Sequence, residues 1–151
     1  MPFSLLEQAI RIATDAHAGQ LDKCRQPYIL HPLRVMLNVT TDEERILATL
    51  HDVVEDTSVT LADLADQFPA SILNALDSIT QRPDEPHVAY LARVLTNPLA
   101  TRVKIADIED NVSHVRIQQW SLLEPTRAQR YQITRLRSLK ALQQRDLSML
   151  A

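Results

Sequence analysis

The stretch Leu50-His51-Asp52-Val53-Val54-Glu55-Asp56-Thr57 decides the fold of this chain, because it places four ionisable side chains inside an apolar helical pattern. The apolar residues recur at the spacing of a helix that buries one face, at Ile46, Leu47, Leu50, Val53 and Val54. At helical spacing, His51 stands one turn from Glu55 and Asp52 one turn from Asp56. Carboxylates left unpaired beside a buried face destabilise the fold, and a divalent cation would compensate them directly. His-Asp pairs are also common as solvated or hydrogen-bonded side chains, so the pair alone does not decide between the two interpretations.

Length and composition predict one helical domain. The chain has 151 residues, enough for a sizeable core, and no composition shift or linker suggests a second domain. It contains one Gly, and aromatic residues make up 4%, which favours helices and leaves little material for hairpin turns or phosphate-cradling loops. We therefore predict an all-α fold, a single bundle of about eight helices over residues 1–151.

Charge and cysteine usage exclude several function classes. The formal net charge of -3 gives no global basic field, so nucleic acid is not an expected partner. The single cysteine, Cys24, cannot form an internal disulfide, and no apolar run reaches the length of a membrane span. Residues 1–3 lead directly into an amphipathic helix rather than into a signal peptide. These features predict a cytoplasmic protein without membrane partners.

Two more polar positions lie where the pattern predicts helix. His31 stands between Pro27 and Pro32, at the start of a helix whose first turn holds Pro32. Asp107 lies inside the apolar stretch 103–112. For Asp107 two interpretations stay open, because it could face a site or simply pair with Lys104.

Cations also recur outside the central helix. Lys23 and Arg25 lie in a short loop, and Arg127, Tyr131 and Arg135 share one stripe of a long last helix that is predicted to begin at Pro125. Such side chains are most often solvent-exposed, and these residues become candidates only through the motifs around them.

The motifs follow one another in a recognisable order: Gly19-Gln20, Lys23, Pro27-Tyr28-Ile29, His31-Pro32-Leu33, residues 50–57, Ile79-Thr80, and Val103-Lys104-Ile105-Ala106-Asp107 with Asn111. This order resembles the hydrolase domain of the RelA/SpoT alarmone family, and the resemblance covers nearly the whole chain. With no synthetase domain expected after it, the chain resembles a stand-alone small alarmone hydrolase of the HD phosphohydrolase superfamily. The family reaction removes pyrophosphate from the 3′ position of guanosine tetra- or pentaphosphate, as part of the stringent response.

The resemblance implies a role for each motif residue. Four side chains would bind one metal ion, typically Mn²⁺ in this family: His31, His51, Asp52 and Asp107. Two imidazoles and two carboxylates suit a six-coordinate ion of this kind and leave positions open for water and a phosphate oxygen. Glu55 and Asp56 match the acidic pair that is thought to orient and deprotonate the water. Substrate contacts are implied for five residues: Lys23, Arg25, Asn111, Arg127 and Tyr131. Arg82, just after Ile79-Thr80, is a further candidate for a phosphate contact.

Two departures from the family pattern leave the base specificity open. The family commonly has an Arg-Lys pair in the first loop, with the arginine stacked on the base, whereas this chain has Asp22-Lys23, and Arg25 is the nearest substitute. After Asp107 the family often has Arg or Lys, and here Ile108-Glu109-Asp110 follows. An adenosine alarmone therefore stays open as substrate. Two other functions also stay open: hydrolysis of NADPH or a deoxynucleotide, and alarmone binding without catalysis. The oligomeric state does not follow from the sequence.

Overall fold

The computed structural model describes residues 2–113, 137, 139–145 and 148. Eight helices lie within residues 2–113: α1 (Leu5–Ala16), α2 (Leu30–Leu37), α3 (Asp42–Leu50), α4 (Val53–Asp56), α5 (Leu61–Leu64), α6 (Ala70–Ile79), α7 (His87–Leu95) and α8 (Pro98–Asn111). Residues 137, 139–145 and 148 are helical as well. The prediction of an all-α fold is confirmed. Of the helices described, none combines the length and the apolar character needed to cross a membrane.

Local sequence signals set the helix starts. Ser4, Thr41 and Thr60 each cap a helix through a capping box, in which the side chain three residues later bonds back to the cap. Gly19 has a positive φ of 80°, which lets the chain turn after α1. Pro32 lies in the first turn of α2, where its missing N–H costs no hydrogen bond.

Helix α3 is the centre of the bundle. It packs against α1, α2, α6 and α8. Because neighbours surround it, the whole run Ile46–Leu50 is buried rather than one face alone. Leu47 and Leu50 are completely inaccessible to solvent. The helix therefore holds the next two residues, His51 and Asp52, inside the bundle beside His31 of α2 and Asp107 of α8.

The central helix is not continuous, and here the sequence-based prediction was wrong. Helix α3 ends at Leu50 and α4 begins at Val53, so that His51 and Asp52 lie in a turn between two helices. The His51 ring is bonded through Nδ1 to the carbonyl oxygen of Ala48 at 2.6 Å. That carbonyl is the one a continuing helix would offer to the backbone N–H of Asp52, so the side chain competes with the helix. The expected one-turn spacing survives between Asp52 and Asp56, whose N–H donates to the Asp52 carbonyl at 2.9 Å.

Candidate metal centre

Four side chains from three parts of the fold meet at the break in the central helix. His31 comes from α2, His51 and Asp52 from the break, and Asp107 from α8. His31 Nε2 lies 3.5 Å from Asp52 Oδ2 and 3.0 Å from Asp107 Oδ1. His51 Nε2 lies 3.1 Å from Asp52 Oδ2 and 3.5 Å from Asp107 Oδ1. All four residues are buried. The structure thus brings together the four residues that the resemblance implied as metal ligands.

The tautomer of each histidine follows from the hydrogen bond that its Nδ1 makes on the side of the ring away from the metal centre. His51 Nδ1 faces the Ala48 carbonyl, which can only accept, so Nδ1 carries the proton. His31 Nδ1 lies 2.7 Å from Asp110 Oδ2, again an acceptor. In the neutral rings both Nε2 atoms therefore direct a lone pair toward Asp52 and Asp107.

This donor set fits a divalent cation. With neutral rings, each Nε2 lone pair lies 3.0–3.5 Å from an oxygen of Asp52 and from an oxygen of Asp107, which is repulsive unless protons or a cation lie between them. One ligand atom from each of His31, His51 and Asp52 lies within 4.8 Å of the other two. His51 Nε2 also has no hydrogen-bond partner among the described residues, although it is buried. Mixed imidazole and carboxylate ligands suit Mn²⁺ and related ions, whereas closed structural zinc sites mostly use cysteine.

Each carboxylate of the centre has its own supporting donors. The Tyr28 hydroxyl donates to Asp52 Oδ2 at 2.6 Å. Lys104 Nζ donates to Asp107 Oδ2 at 2.8 Å, while Asn111 Nδ2 donates to Asp107 Oδ1 at 3.0 Å. Both interpretations of Asp107 are therefore partly right, because one oxygen pairs with Lys104 while the other faces the histidines.

The electrostatics of the centre favour a charge-balanced state. Burial opposes the charged form of His31 and His51, but contacts with the carboxylates outweigh it and raise the pKa of both rings. Burial also opposes ionisation of Asp52 and Asp107, yet His51 beside the first and Lys104 beside the second hold the pKa of both carboxyl groups below the usual range. Protons and a divalent cation would compete for the same atoms, so cation binding releases protons.

Glu55 and Asp56 lie next to this centre. Together with Asp52 they form a group whose carboxylate oxygens lie within 4.8 Å of one another. Burial, the largest cause, raises the pKa of both Glu55 and Asp56, which makes each a stronger base than an exposed carboxylate. Glu55 Oε1 accepts the backbone N–H of Gln81 at 2.7 Å, so its position is fixed. An open groove of about 460 Å³ begins here, lined by Glu55 and residues 80–83.

The loop between α1 and α2 contacts the candidate metal centre at both of its ends. Gln20 Nε2 donates to the Asp56 carbonyl at 3.0 Å, and Tyr28 contacts Asp52. Between them, Asp22 Oδ1 accepts the backbone N–H groups of Cys24 and Gln26 at 2.8 and 3.0 Å. The aspartate that departs from the family pattern is therefore used to fold its own loop.

The loop also places two of the predicted cations. Lys23 and Arg25 are both exposed, and Arg25 has a positive φ of 62°. Arg82, by contrast, lies in the groove wall with Nη2 3.2 Å from Asp77 Oδ1. Arg127 and Tyr131, predicted to contact substrate, and the predicted last helix start at Pro125 lie outside the described residues.

The residues after Asp107 depart from the family pattern for structural reasons. Ile108 is buried and packs with Ile105 and Leu139. Glu109 forms an ion pair with Lys140 at 2.9 Å. Asp110 is buried behind His31. These side chains support the bundle rather than present charge to a substrate.

Three further residues hold the ligands in place, and the sequence alone did not identify them in this role: Tyr28, Arg34 and Asp110. The spacing offered a signal for two of them, because Arg34 follows His31 by three residues on α2 and Asp110 follows Asp107 by three on α8. Tyr28 carried no such signal, since its hydroxyl reaches Asp52 across 24 positions of sequence.

Comparisons with known proteins agree with this fold and site. The chain is 38% identical over 80 residues to a guanosine-3′,5′-bis(diphosphate) 3′-pyrophosphohydrolase of Vibrio cholerae, which covers 50% of this chain and 11% of that protein. It is 36% identical over 80 residues to the bifunctional (p)ppGpp synthase/hydrolase SpoT of Escherichia coli K12, again covering 50% and 11%. A solved structure of a metazoan SpoT ortholog that hydrolyses ppGpp has a TM-score of 0.67 at 21% identity, and covers 92% of this chain and 84% of its own. No family model matches the chain.

The fold is thus the helical fold of that hydrolase structure. The resemblance of this chain to the RelA/SpoT alarmone family is confirmed over about half its length. The chain spans only about a tenth of the length of the curated relatives named above.

Proposed function

We propose that this chain is a metal-dependent hydrolase that removes pyrophosphate from the 3′ position of guanosine tetra- or pentaphosphate, or of a related alarmone. The observation that carries the proposal is the convergence of His31, His51, Asp52 and Asp107, whose facing atoms lie 3.0–3.5 Å apart in the pairs given above. Similarity to relatives named as 3′-pyrophosphohydrolases supports the substrate class. The single domain and the cytoplasmic location expected from the sequence stay predictions.

The four converging side chains would hold one divalent cation, with manganese as the expected ion. When bound, such an ion lowers the pKa of a water and takes up charge that develops on phosphoryl oxygens. The chain itself fixes the positions of the two carboxylate ligands through hydrogen bonds. Tyr28 donates to Asp52, whereas Lys104 and Asn111 donate to Asp107. Such preorganisation places the charges where the reaction needs them.

Glu55 and Asp56 would accept the proton of the attacking water. The water oxygen bonds to the phosphorus attached to the ribose O3′, the P–O3′ bond breaks, and O3′ takes up a proton. The products are pyrophosphate and a nucleotide with a free 3′ hydroxyl. Glu55 is the better placed base, because the Gln81 N–H holds one oxygen while burial raises its pKa.

The phosphates need cationic partners beside the centre. Lys23 and Arg25 are exposed on the loop in which Gln20 contacts Asp56 and Tyr28 contacts Asp52. We propose that they contact the phosphates. Contacts of substrate with Asn111, Arg127 and Tyr131 stay predictions.

The test is incubation of the purified chain with Mn²⁺ and a panel of guanosine and adenosine 3′-pyrophosphates, with NADPH and a deoxynucleoside triphosphate in parallel. Products are resolved by ³¹P NMR, and Asp52→Ala serves as the inactive control. We expect pyrophosphate from a 3′-pyrophosphate and none from the control. Turnover of NADPH or the deoxynucleotide alone would contradict the proposal, and so would tight alarmone binding without product.

A further inference from the structure

Behind His31 lies a buried carboxylate that belongs to none of the proposed ligands. Asp110 is buried on α8, and its Oδ2 lies 2.7 Å from His31 Nδ1. Arg34 on α2 holds the same carboxylate with two hydrogen bonds, from Nε to Oδ1 at 2.8 Å and from Nη2 to Oδ2 at 3.2 Å. The result is a chain of contacts that runs from the half-exposed guanidinium through Asp110 to the imidazole and ends at the metal centre.

The two histidines of the centre are supported in different ways. His51 Nδ1 donates to the backbone carbonyl of Ala48, which is neutral. His31 Nδ1 donates to a carboxylate, which attracts the ring proton more strongly and makes the opposite nitrogen a better electron donor. Because the planar guanidinium of Arg34 forms a hydrogen bond to each oxygen of Asp110, it restrains this carboxylate from rotating away from the His31 ring.

We propose that Asp110 and Arg34 form a positioning pair that sets the orientation and donor strength of His31 toward the divalent cation. This inference rests on the proposed metal centre and adds to it a control of cation affinity. The pair follows the ligands along the same two helices, since Arg34 comes three residues after His31 and Asp110 three residues after Asp107. The proposed positioning pair and the ligands His31 and Asp107 therefore lie at the same contact between α2 and α8.

A purely structural role is the alternative, because an Arg–Asp pair also ties α2 to α8. The chain offers a matched comparison on α8. Arg102 Nε lies 2.6 Å from Glu44 Oε1, and that pair also joins a buried carboxylate to a half-exposed guanidinium, between α8 and α3. The other hydrogen bonds of the Glu44 side chain shown in the structure go to Thr40 and Thr41, away from the metal centre. Loss of Glu44 therefore removes a helix tie without touching a ligand.

The test measures the affinity of the full chain for Mn²⁺ alone, by electron paramagnetic resonance titration, in wild type, Asp110→Asn and Glu44→Gln. Asn keeps an oxygen acceptor at position 110 but removes its charge. We expect Asp110→Asn to bind Mn²⁺ about 10- to 100-fold more weakly, the range found when a partner that orients a metal ligand is lost. Glu44→Gln should lose thermal stability and keep the wild-type affinity, because Glu44 contacts no proposed ligand.

Arg34→Lys provides a second variant in case Asp110→Asn does not fold. It keeps the positive charge but cannot form the two parallel hydrogen bonds to Asp110, and we therefore expect weaker Mn²⁺ binding than in wild type. Wild-type affinity in either folded variant would overturn the positioning role, as would equal losses in Glu44→Gln. The readout involves no nucleotide. If the affinities follow the expected order but no alarmone is hydrolysed, the proposed substrate fails and the positioning role stands.

Discussion

Replacement of Lys104 by methionine separates the contributions of charge and metal at the centre. Lys104 Nζ lies 2.8 Å from Asp107 Oδ2, and the two side chains are only 16% and 6% exposed. Removal of one partner from a buried pair costs about 3–5 kcal/mol, because the other charge stays buried without compensation. For a chain of this size that corresponds to a fall of about 6–20 °C in melting temperature.

A bound cation should reduce this loss. With Mn²⁺ facing the other oxygen of Asp107, the carboxylate keeps a positive neighbour, and only the hydrogen bond from Lys104 is lost. That bond contributes about 1.5–3 kcal/mol. We therefore expect Lys104→Met to be destabilised more in EDTA than in saturating Mn²⁺, and by linkage the variant gains more stability from Mn²⁺ than wild type does.

Chemical denaturation with EDTA or Mn²⁺ measures both quantities. Arg102→Met is the control, because its partner Glu44 lies away from the centre and the loss should be the same in both buffers. Equal destabilisation of Lys104→Met with and without Mn²⁺ would refute the argument that Lys104 and a cation neutralise the same carboxylate.

Three further predictions concern single side chains, two of them beside the metal centre and one away from it. Glu55→Gln should keep Mn²⁺ affinity and lower the turnover rate by about 10²–10⁴-fold, the usual contribution of a general base, and unchanged turnover in single-turnover kinetics would exclude that role. Tyr28→Phe removes the 2.6 Å hydrogen bond to Asp52 and should weaken Mn²⁺ binding, which calorimetric titration can measure; an unchanged affinity would show that the bond is dispensable. Burial opposes ionisation of Glu44, but hydrogen bonds from backbone N–H groups and from Arg102 outweigh burial and lower the pKa of Glu44 below the usual 4.5. The ionised Glu44 side chain therefore stabilises the fold above about pH 4.5, and this stabilisation is lost as the pH falls through the lowered pKa. The stability gap between wild type and Glu44→Gln should therefore narrow below about pH 4.5, and a constant gap in acid denaturation would contradict this assignment.

Local sequence signals predicted the parts of the fold that depend on neighbours in the chain. The capping boxes at Ser4, Thr41 and Thr60 consist of hydrogen bonds within four residues, so the local sequence alone specifies them. The break after Leu50 could not be read in this way. It depends on whether the His51 ring or a backbone N–H takes the Ala48 carbonyl, and the apolar pattern is the same in both cases.

The candidate site was predictable only as far as its motifs extend. Order and spacing singled out residues such as His31 and Asp107, which the structure places 3.0 Å apart. The residues that hold the ligands were harder to find. The sequence shows Asp110 only as part of a segment that lacks the family's Arg or Lys. Its partner Arg34 lies 76 positions away, and only the packing of α2 on α8 joins the two side chains.

The central claim is that one cation sits between two imidazoles and two carboxylates. Pulsed electron paramagnetic resonance of the Mn²⁺-loaded chain tests it most directly, because it detects nitrogen nuclei bound to the metal. We expect one bound ion per chain with nitrogen couplings from two imidazoles, and loss of one coupling in His51→Gln. A bound ion without nitrogen couplings, or the same spectrum after the substitution, would contradict the account.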